Sequence, residues 1–255
     1  MSIQKQQAGA QSVYRAMEVL DAFDQGRVAM SVGEIASHTG LTVPTAHRLV
    51  TALASEGFLS RDEVSRTFGI GPAILRLAQV ALSGESTYAF VEPLLRSLRD
   101  ECEETVGLHV RVGTRRVCIR ELESPHRVRV VSGVGHTYAL TAAAASKAIL
   151  AFTHKGEIGG LEDADPTLTG TDFQATLEAI RTKGYAVSHG ETIPGAHAVA
   201  APVLDADGCA LAAVNITGPA DRLPPDRLES LGTELVVRLR SISQARYAGL
   251  TSGAL

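Results

Sequence analysis

The stretch LTVPTAHRLVTALASEG, Leu41–Gly57, decides how the first third of the chain folds. Ala46, Leu49, Val50 and Leu53 stand at i, i+3, i+4 and i+7, which is the spacing of one apolar stripe on an α-helix. Pro44 suits the first turn, where backbone amides have no intrahelical acceptor to lose, and Thr42 precedes it as the expected N-cap. Gly57 marks the expected stop. Pro44, His47, Arg48, Thr51 and Ser55 repeat the helical spacing on the opposite face, with Thr45 beside them. That polar face has no use in a core.

The flanking segments give the face a setting. Upstream, SVGEIASHTG pairs Ser31 with Glu34 as a capping box and ends on Gly40, a left-handed stop, so a helix of about two turns is expected. Before it, SVYRAMEVLDAF carries Val13, Ala16, Met17, Leu20 and Phe23 at helical spacing, with Arg15, Glu18 and Asp21 expected to face outward. Downstream, GFLSRDEVSRTFGIG predicts two short strands, Phe58–Arg61 and Thr67–Ile70, around a polar turn that bears Arg61 and Arg66. Helix, tight turn, helix and basic hairpin in this order describe a winged helix-turn-helix. Its second helix enters the major groove N-terminus first, which directs Thr45, His47 and Arg48 at bases and phosphates. The hairpin arginines then reach the flanking backbone. A solvated outer face on a small helical bundle is the competing reading of the same helix.

Bulk properties restrict the alternatives. The 255 residues fit one large domain or two smaller ones, and an apolar share of 45% suits a folded chain. The net charge is −4, and residues 1–86 hold seven basic and eight acidic side chains. Bulk attraction to nucleic acid is therefore absent, and DNA binding has to rest on local geometry. No run of about 18 apolar residues is present, so no membrane span or membrane partner is expected. No secretion signal is expected either. Cys102, Cys118 and Cys209 are odd in number and widely spaced, which fits a reduced, cytoplasmic protein better than a disulfide framework.

From Pro72 the sequence PAILRLAQVALSGE reads as a helix with Ile74, Leu75, Leu77, Ala78, Ala81 and Leu82 apolar on more than one side. It is either a core helix or a linker that packs on a second subunit. SGEST, Ser83–Thr87, is the expected boundary. YAFVEPLLRSLRDECEETVG reads as a helix ended by Gly107, LHVRVGTRRVCIREL as a strand hairpin around Gly113, and RVRVVSGVG as a third strand. LTAAAASKAILAFT reads as helix, and FQATLEAIRTKGYAVS as a helix stopped by Gly184 and followed by a strand. HAVAAPVLDADGCALAAVNITGP is a long hairpin with an Asp207-Gly208 turn. A last helix from Pro225 carries Leu228, Leu231, Leu235, Leu239 and Ile242. The class is α + α/β, with the second part an antiparallel sheet under flanking helices.

Catalytic patterns are weak. His189, Glu191 and His197 lack the spacing of a helical zinc site, so no metal is expected. Ser146-Lys147 stands outside any G-x-S-x-G or S-x-x-K pattern, and Gly133–Gly135 is too short for a phosphate loop. Cys118 and Cys209 fall in apolar strands and read as inert packing. No cofactor is expected. LTAAAASK instead sets small residues at a helix start with first-turn amides open to an anion, and Lys147 one turn in. A tight sheet–helix interface needs small residues too, so a pocket and close packing both fit. An enzyme that uses such a pocket, with the N-terminal helices serving oligomerisation, is the rival in function. A winged helix that binds protein is another.

Several stretches together resemble the IclR family of bacterial transcription factors over nearly the whole chain. They are SVYRAMEVLDAF, SVGEIASHTGLTVPTAHRLVTALASEGFLSRD, IGPAILRLA, LRDECEETVGLHVRV, ESPHRVRV, ALTAAAASKAILA, TKGYAVSHGETIPGAHAVAAPVLDADG and VNITGP. The resemblance implies a winged helix-turn-helix DNA-binding domain over residues 9–71, a linker helix over 72–86 and a GAF-like effector-binding domain over 87–250. It implies a homodimer or homotetramer, not an enzyme, that binds a pseudo-palindromic double-stranded operator; members repress or activate catabolic operons, and a repressor is expected here. Thr45, His47 and Arg48 match the family's DNA-reading segment, with Arg15, Ser31, Thr42 and Pro44 in support and Arg61 and Arg66 on the wing. The matching effector positions are Val130, Ala144, Ala145, Ser146, Ser188 and Ala198. Here the chain departs from the family pattern, with Thr141–Lys147 in place of an H-A-[ST]-x-x-G-K run. Ser188 stands where an acidic residue is frequent, and Ala198 where a cysteine is. With those polar anchors missing, the expected effector is larger and less polar than a small keto acid: an aromatic acid or a lactone.

Overall fold

The structure is a computed structural model that describes residues 3–24, 26–82, 87–154 and 170–252. The chain divides into two compact units, Met1–Ser86 and Thr87–Leu255. Residues 83–86 of the expected boundary, and the side chains of Ala81, Leu82 and Ile242, lie outside the described residues.

The first unit runs α1 (Ile3–Asp21), α2 (Val32–Thr39), α3 (Val43–Ser55), β1 (Leu59–Arg61), β2 (Phe68–Ile70) and α4 (Pro72–Leu82). Both capping-box bonds form at α2: Ser31 Oγ accepts the Glu34 amide at 3.3 Å, and Glu34 Oε2 accepts the Ser31 amide at 2.7 Å. Gly40 ends the helix at φ 67°, a left-handed conformation that glycine adopts without a Cβ clash. Thr42 holds the N-cap position of α3 but makes no side-chain cap bond, because its hydroxyl pairs with that of Thr45 at 2.9 Å. The core gathers Val19, Met30, Ile35, Ala46, Leu49, Val50, Leu59 and Phe68. Val13 and Met17, expected inside, are 57% and 53% exposed, while Val19 and Ala22 are buried and Arg15 is half-buried. The packed stripe of α1 is thus rotated by about one position from the one the spacing suggested. β1 and β2 pair antiparallel, Leu59 opposite Ile70, and Met30 bridges to Phe68 through backbone bonds of 2.9 and 2.8 Å.

The second unit contains α5 (Thr87–Cys102), β3 (Thr105–Val112), β4 (Arg115–Leu122), β5 (Thr137–Ala139), α6 (Ala144–Ala151), α7 (Thr171–Lys183), β6 (Ala186–His189), β7 (Ala196–Leu204), β8 (Ala210–Pro219) and α8 (Pro225–Ser252). The strands form one antiparallel sheet in the order β5-β4-β3-β8-β7-β6. Alternation along β7 sorts the two faces: Val199 and Ala201 join Leu95 and Leu98 of α5 and Leu228 and Leu235 of α8. Ala198 and Ala200 join α6 and α7 through Ala144, Ala148, Leu177 and Ile180.

Three local expectations need correction. The helix α5 stops at Cys102, Glu103 turns left-handed at φ 57°, and Gly107 lies within β3 instead of ending a helix. The alternation of Val106, Leu108 and Val110 already belongs to the strand, and Gly107 has a separate reason. A Cβ there would stand 2.5 Å from Asn215 Oδ1 and 2.9 Å from His109 Nε2. Arg127–Gly135 is not a strand, because Gly133 and Gly135 take φ 85° and the Ser132 and Gly133 amides bind the Glu121 carboxylate at 2.9 Å each. The third strand is β5, paired with β4. Finally, α6 starts at Ala144, because Ala143 sits at φ 70°, outside helical space.

Candidate nucleic-acid interface and ligand cleft

The outer face of α3 is built by its inner one. Burial of Ala46, Leu49 and Val50 fixes the rotation of the helix and leaves Pro44, His47, Arg48, Thr51 and Ser55 exposed, with Thr45 half-buried. Thr51 Oγ1 donates to the His47 carbonyl at 2.8 Å, whereas His47 and Arg48 side chains have no protein partner among the described residues. Two unengaged donors near the start of an exposed helix are free to meet an external anion or base edge. On the hairpin, Asp62 Oδ1 accepts the Val64 and Ser65 amides at 2.8 and 3.3 Å and shapes the tip. Those amides hold its carboxyl below the usual value. Arg66 stands at φ 56° and is exposed, while Arg61 lies 3.5 Å from Glu63 and over the Phe68 ring.

The second unit holds a cleft between the sheet and the start of α6, lined by Arg116, Tyr138, Ala143, Ala144, Ala145, Ser188, Glu191, Ala198, Asn215 and Thr217 among others. Arg116 is 3% exposed. Its Nη1 lies 3.0 Å from His109 Nδ1, and its guanidinium carbon lies 4.4 Å from the centre of the Tyr138 ring. His109 is fully buried, and its Nε2 lies 3.0 Å from Asn215 Oδ1. A guanidinium only donates, so Nδ1 accepts and Nε2–H donates to Asn215. Burial first, then the neighbouring Arg116 charge, pushes the His109 pKa down to about 3, against the opposing Asn215 bond. The ring is neutral, and Asn215 keeps its amide nitrogen for the cleft. Burial also lowers the Arg116 pKa. At the mouth, Glu191 Oε2 accepts the Ala143 amide at 3.0 Å, and Lys147 Nζ lies 2.5 Å from Glu191 Oε1.

Residues 12–63 match the family model of the IclR helix-turn-helix domain. Residues 79–244 match that of the bacterial transcriptional regulator IclR C-terminal domain. The chain belongs to the IclR family. The HTH-type transcriptional repressor AllR of Klebsiella pneumoniae is 29% identical over 94% of this chain and 91% of its own length. The IclR transcriptional regulator of Alicyclobacillus acidocaldarius superposes with a TM-score of 0.77 at 25% identity, over 91% of this chain and 98% of that one. An IclR homologue of Microbacterium hydrocarbonoxydans, solved with 4-hydroxybenzoate, gives a TM-score of 0.73 at 19% identity, over 92% of this chain and 99% of that one.

Within this IclR fold, Thr42, Pro44, Thr45, His47 and Arg48 share one end of α3, and Ser31 caps the helix before it. Arg15 lies on α1, while Arg61 and Arg66 flank the hairpin tip. Of the effector positions, Ala144, Ala145, Ser188 and Ala198 line the cleft. Val130 and Ser146 do not: Val130 lies in the irregular 127–135 stretch, and the buried Ser146 hydroxyl donates to the Ala139 carbonyl at 2.9 Å. The cleft is also more polar than the alanine-rich sequence suggested, through Arg116, Asn215, Thr217 and Glu191. A signal for Arg116 exists in the sequence, since strand alternation puts it in phase with the buried Cys118. The Cys118 thiol is pushed up to about 12, chiefly by burial. Cys209, expected in a strand interior, is half-buried in the turn before β8, its Sγ 2.9 Å from His154 Nε2. Among the described residues no three His, Cys, Asp or Glu side chains group as a metal site, and no helix is long and apolar enough to cross a membrane.

Proposed function

We propose that the protein is a cytoplasmic repressor of a catabolic operon, not an enzyme, and that it binds a pseudo-palindromic operator as a homodimer or a pair of dimers. The observation that carries this reading is the exposed His47–Arg48 end of α3 with both side chains unengaged. In the major groove Arg48 contacts a guanine bidentately or clamps a phosphate, Thr45 and His47 meet neighbouring base edges, and Thr42 and Ser31 bind backbone phosphate. Arg66 and Arg61 reach the flanking groove from the wing. Half-sites then lie about one helical turn, roughly 34 Å, or a multiple apart. The exposed Tyr14 and Met17 of α1 and Leu75 and Leu77 of α4 supply apolar surface for dimerisation.

The cleft of the second unit takes a small organic acid, aromatic acids included. Buried Arg116 against Tyr138 supports a carboxylate on an aromatic frame, as does the 4-hydroxybenzoate in the Microbacterium homologue. Effector binding relieves repression only if the effector prefers one of two operator-binding arrangements of the subunits. The nucleophile reading of Ser146-Lys147 finds no support, because the Ser146 hydroxyl is committed to Ala139 and Lys147 to Glu191. Footprinting on the intergenic DNA upstream of the protein's own gene, with and without candidate acids, tests the whole reading. Protection of two spaced half-sites is expected for the parent and not for Arg48→Ala. Equal protection by both proteins would remove α3 from the recognition role.

A further inference from the structure

The cleft lining contains a buried cation, Arg116, and a carboxylate, Glu191, that serves other partners. Arg116 Nε is buried and has no hydrogen-bond acceptor, and Nη1 is spent on a neutral imidazole. No carboxylate of the described residues forms an ion pair with it, and Glu121, whose charge acts on it, is turned to the Ser132 and Gly133 amides. A guanidinium held this way lacks the counter-charge that normally accompanies burial.

Glu191 lines the same cleft, and its carboxylate bridges the Ala143 amide, ahead of α6, and Lys147 Nζ. Ala143 is held at φ 70° and ψ 159°, a region nearly confined to glycine, and that strained peptide presents its N–H to the carboxylate. With Glu191 in place the free volume is about 40 Å³, room for two or three waters and too little for an organic acid. Entry therefore requires a group to leave, and Glu191 stands with Thr192 and Ile193 on the exposed turn of the lining, the one charged side chain of the three.

We propose that Glu191 is a resident substitute for the effector's carboxylate, and that a monocarboxylate enters by expelling it. The incoming carboxylate takes over the Ala143 amide and the Lys147 Nζ contact that Glu191 holds, with Arg116 as the cation of the cleft lining itself. One carboxylate leaves as one arrives, so the net charge of the cleft is unchanged, and the unfilled Arg116 Nε favours the newcomer. A neutral ligand of the same shape would leave Lys147 and Arg116 both without an anion. The inference rests on the reading of this cleft as the effector site.

Calorimetric titration of the full chain with benzoate and with pyruvate tests it, with benzamide as the neutral counterpart of benzoate. Parent, Glu191→Gln and Glu191→Ala are compared. Whichever carboxylate binds the parent is expected to bind both variants about three- to tenfold more tightly, because its competitor is weakened or gone, and benzamide is expected to bind none of them. Arg116→Gln is expected to lose at least tenfold in carboxylate affinity. Equal or weaker carboxylate binding by the Glu191 variants, comparable binding of benzamide, or no binding of either carboxylate to any of the proteins would overturn the proposal. Footprinting of the same preparations separates it from the regulator reading. Failure of the parent to protect DNA counts against that reading alone, whereas DNA release by a neutral metabolite with no carboxylate bound counts against the exchange alone.

Discussion

His109 is neutral because its two ring nitrogens are assigned by a neighbour that cannot accept and by burial that opposes a second proton. Its folded pKa of about 3 lies below the ordinary value of 6.5. The unfolded chain therefore binds the proton first, and stability is lost as pH falls below about 6.5, continuing until about 3, at roughly 1.4 kcal/mol per pH unit. In urea melts between pH 6.5 and 4.5, His109→Gln is expected to show a flatter decline than the parent, and parallel curves would refute the assignment. Arg48 is the contrasting case, an exposed charge with no side-chain partner among the described residues. Arg48→Ala is expected to weaken operator binding by about 1–3 kcal/mol, roughly five- to 150-fold, measured by gel shift. Arg48 was legible in the sequence because helix periodicity separates its face from Leu49 and Val50. Arg116 was not singled out, since an arginine in a strand reads as solvent-facing unless the phase with Cys118 is followed through.

Helix starts are where local chemistry spoke most plainly. Ser31 and Glu34 specify the start of α2, and Ser31→Ala is expected to cost the first unit about 1 kcal/mol in urea unfolding. At α6 the opposite holds: Ala143 pays for an unfavourable φ, so Ala143→Gly is expected to raise the stability of the second unit by about 1 kcal/mol, and a loss of stability would contradict the strained geometry. That start is not legible in the sequence because four alanines carry helix propensity but no boundary signal. The end of α5 is obscured for a related reason. A glycine after a helical run reads as a stop, whereas Gly107 is required by a hydrogen bond between His109 and Asn215, 106 residues apart in sequence. Such long-range contacts leave no local trace. The hairpins β1–β2 and β7–β8, whose turns and alternation are local, were readable directly.

Taken whole, the chain carries a net charge of −4, so affinity for DNA must come from few, well-placed cations. If Arg15, Arg48 and Arg66 of each protomer meet phosphates, a dimer makes about six contacts, and log Kobs against log salt is expected to fall with a slope of about −5. A slope near −10 would mean that other basic residues do the binding. The division at Ser86 and Thr87 falls in the polar SGEST stretch, where apolar helix gives way to small polar residues. The exposed apolar side of α1 is not legible in the sequence, because spacing alone does not tell an apolar face that packs from one that stays exposed. Finally, the pair of bonds joining Met30 to Phe68 ties the strand pair next to the hairpin turn, Arg61 opposite Phe68, to the residue just ahead of Ser31. The outer turn, Asp62–Arg66, is held mainly by its own Asp62 bonds. Insertions there would lengthen the reach of the wing without disturbing α3. Divergence in target choice can then accumulate in five residues while the reading helix stays where it is.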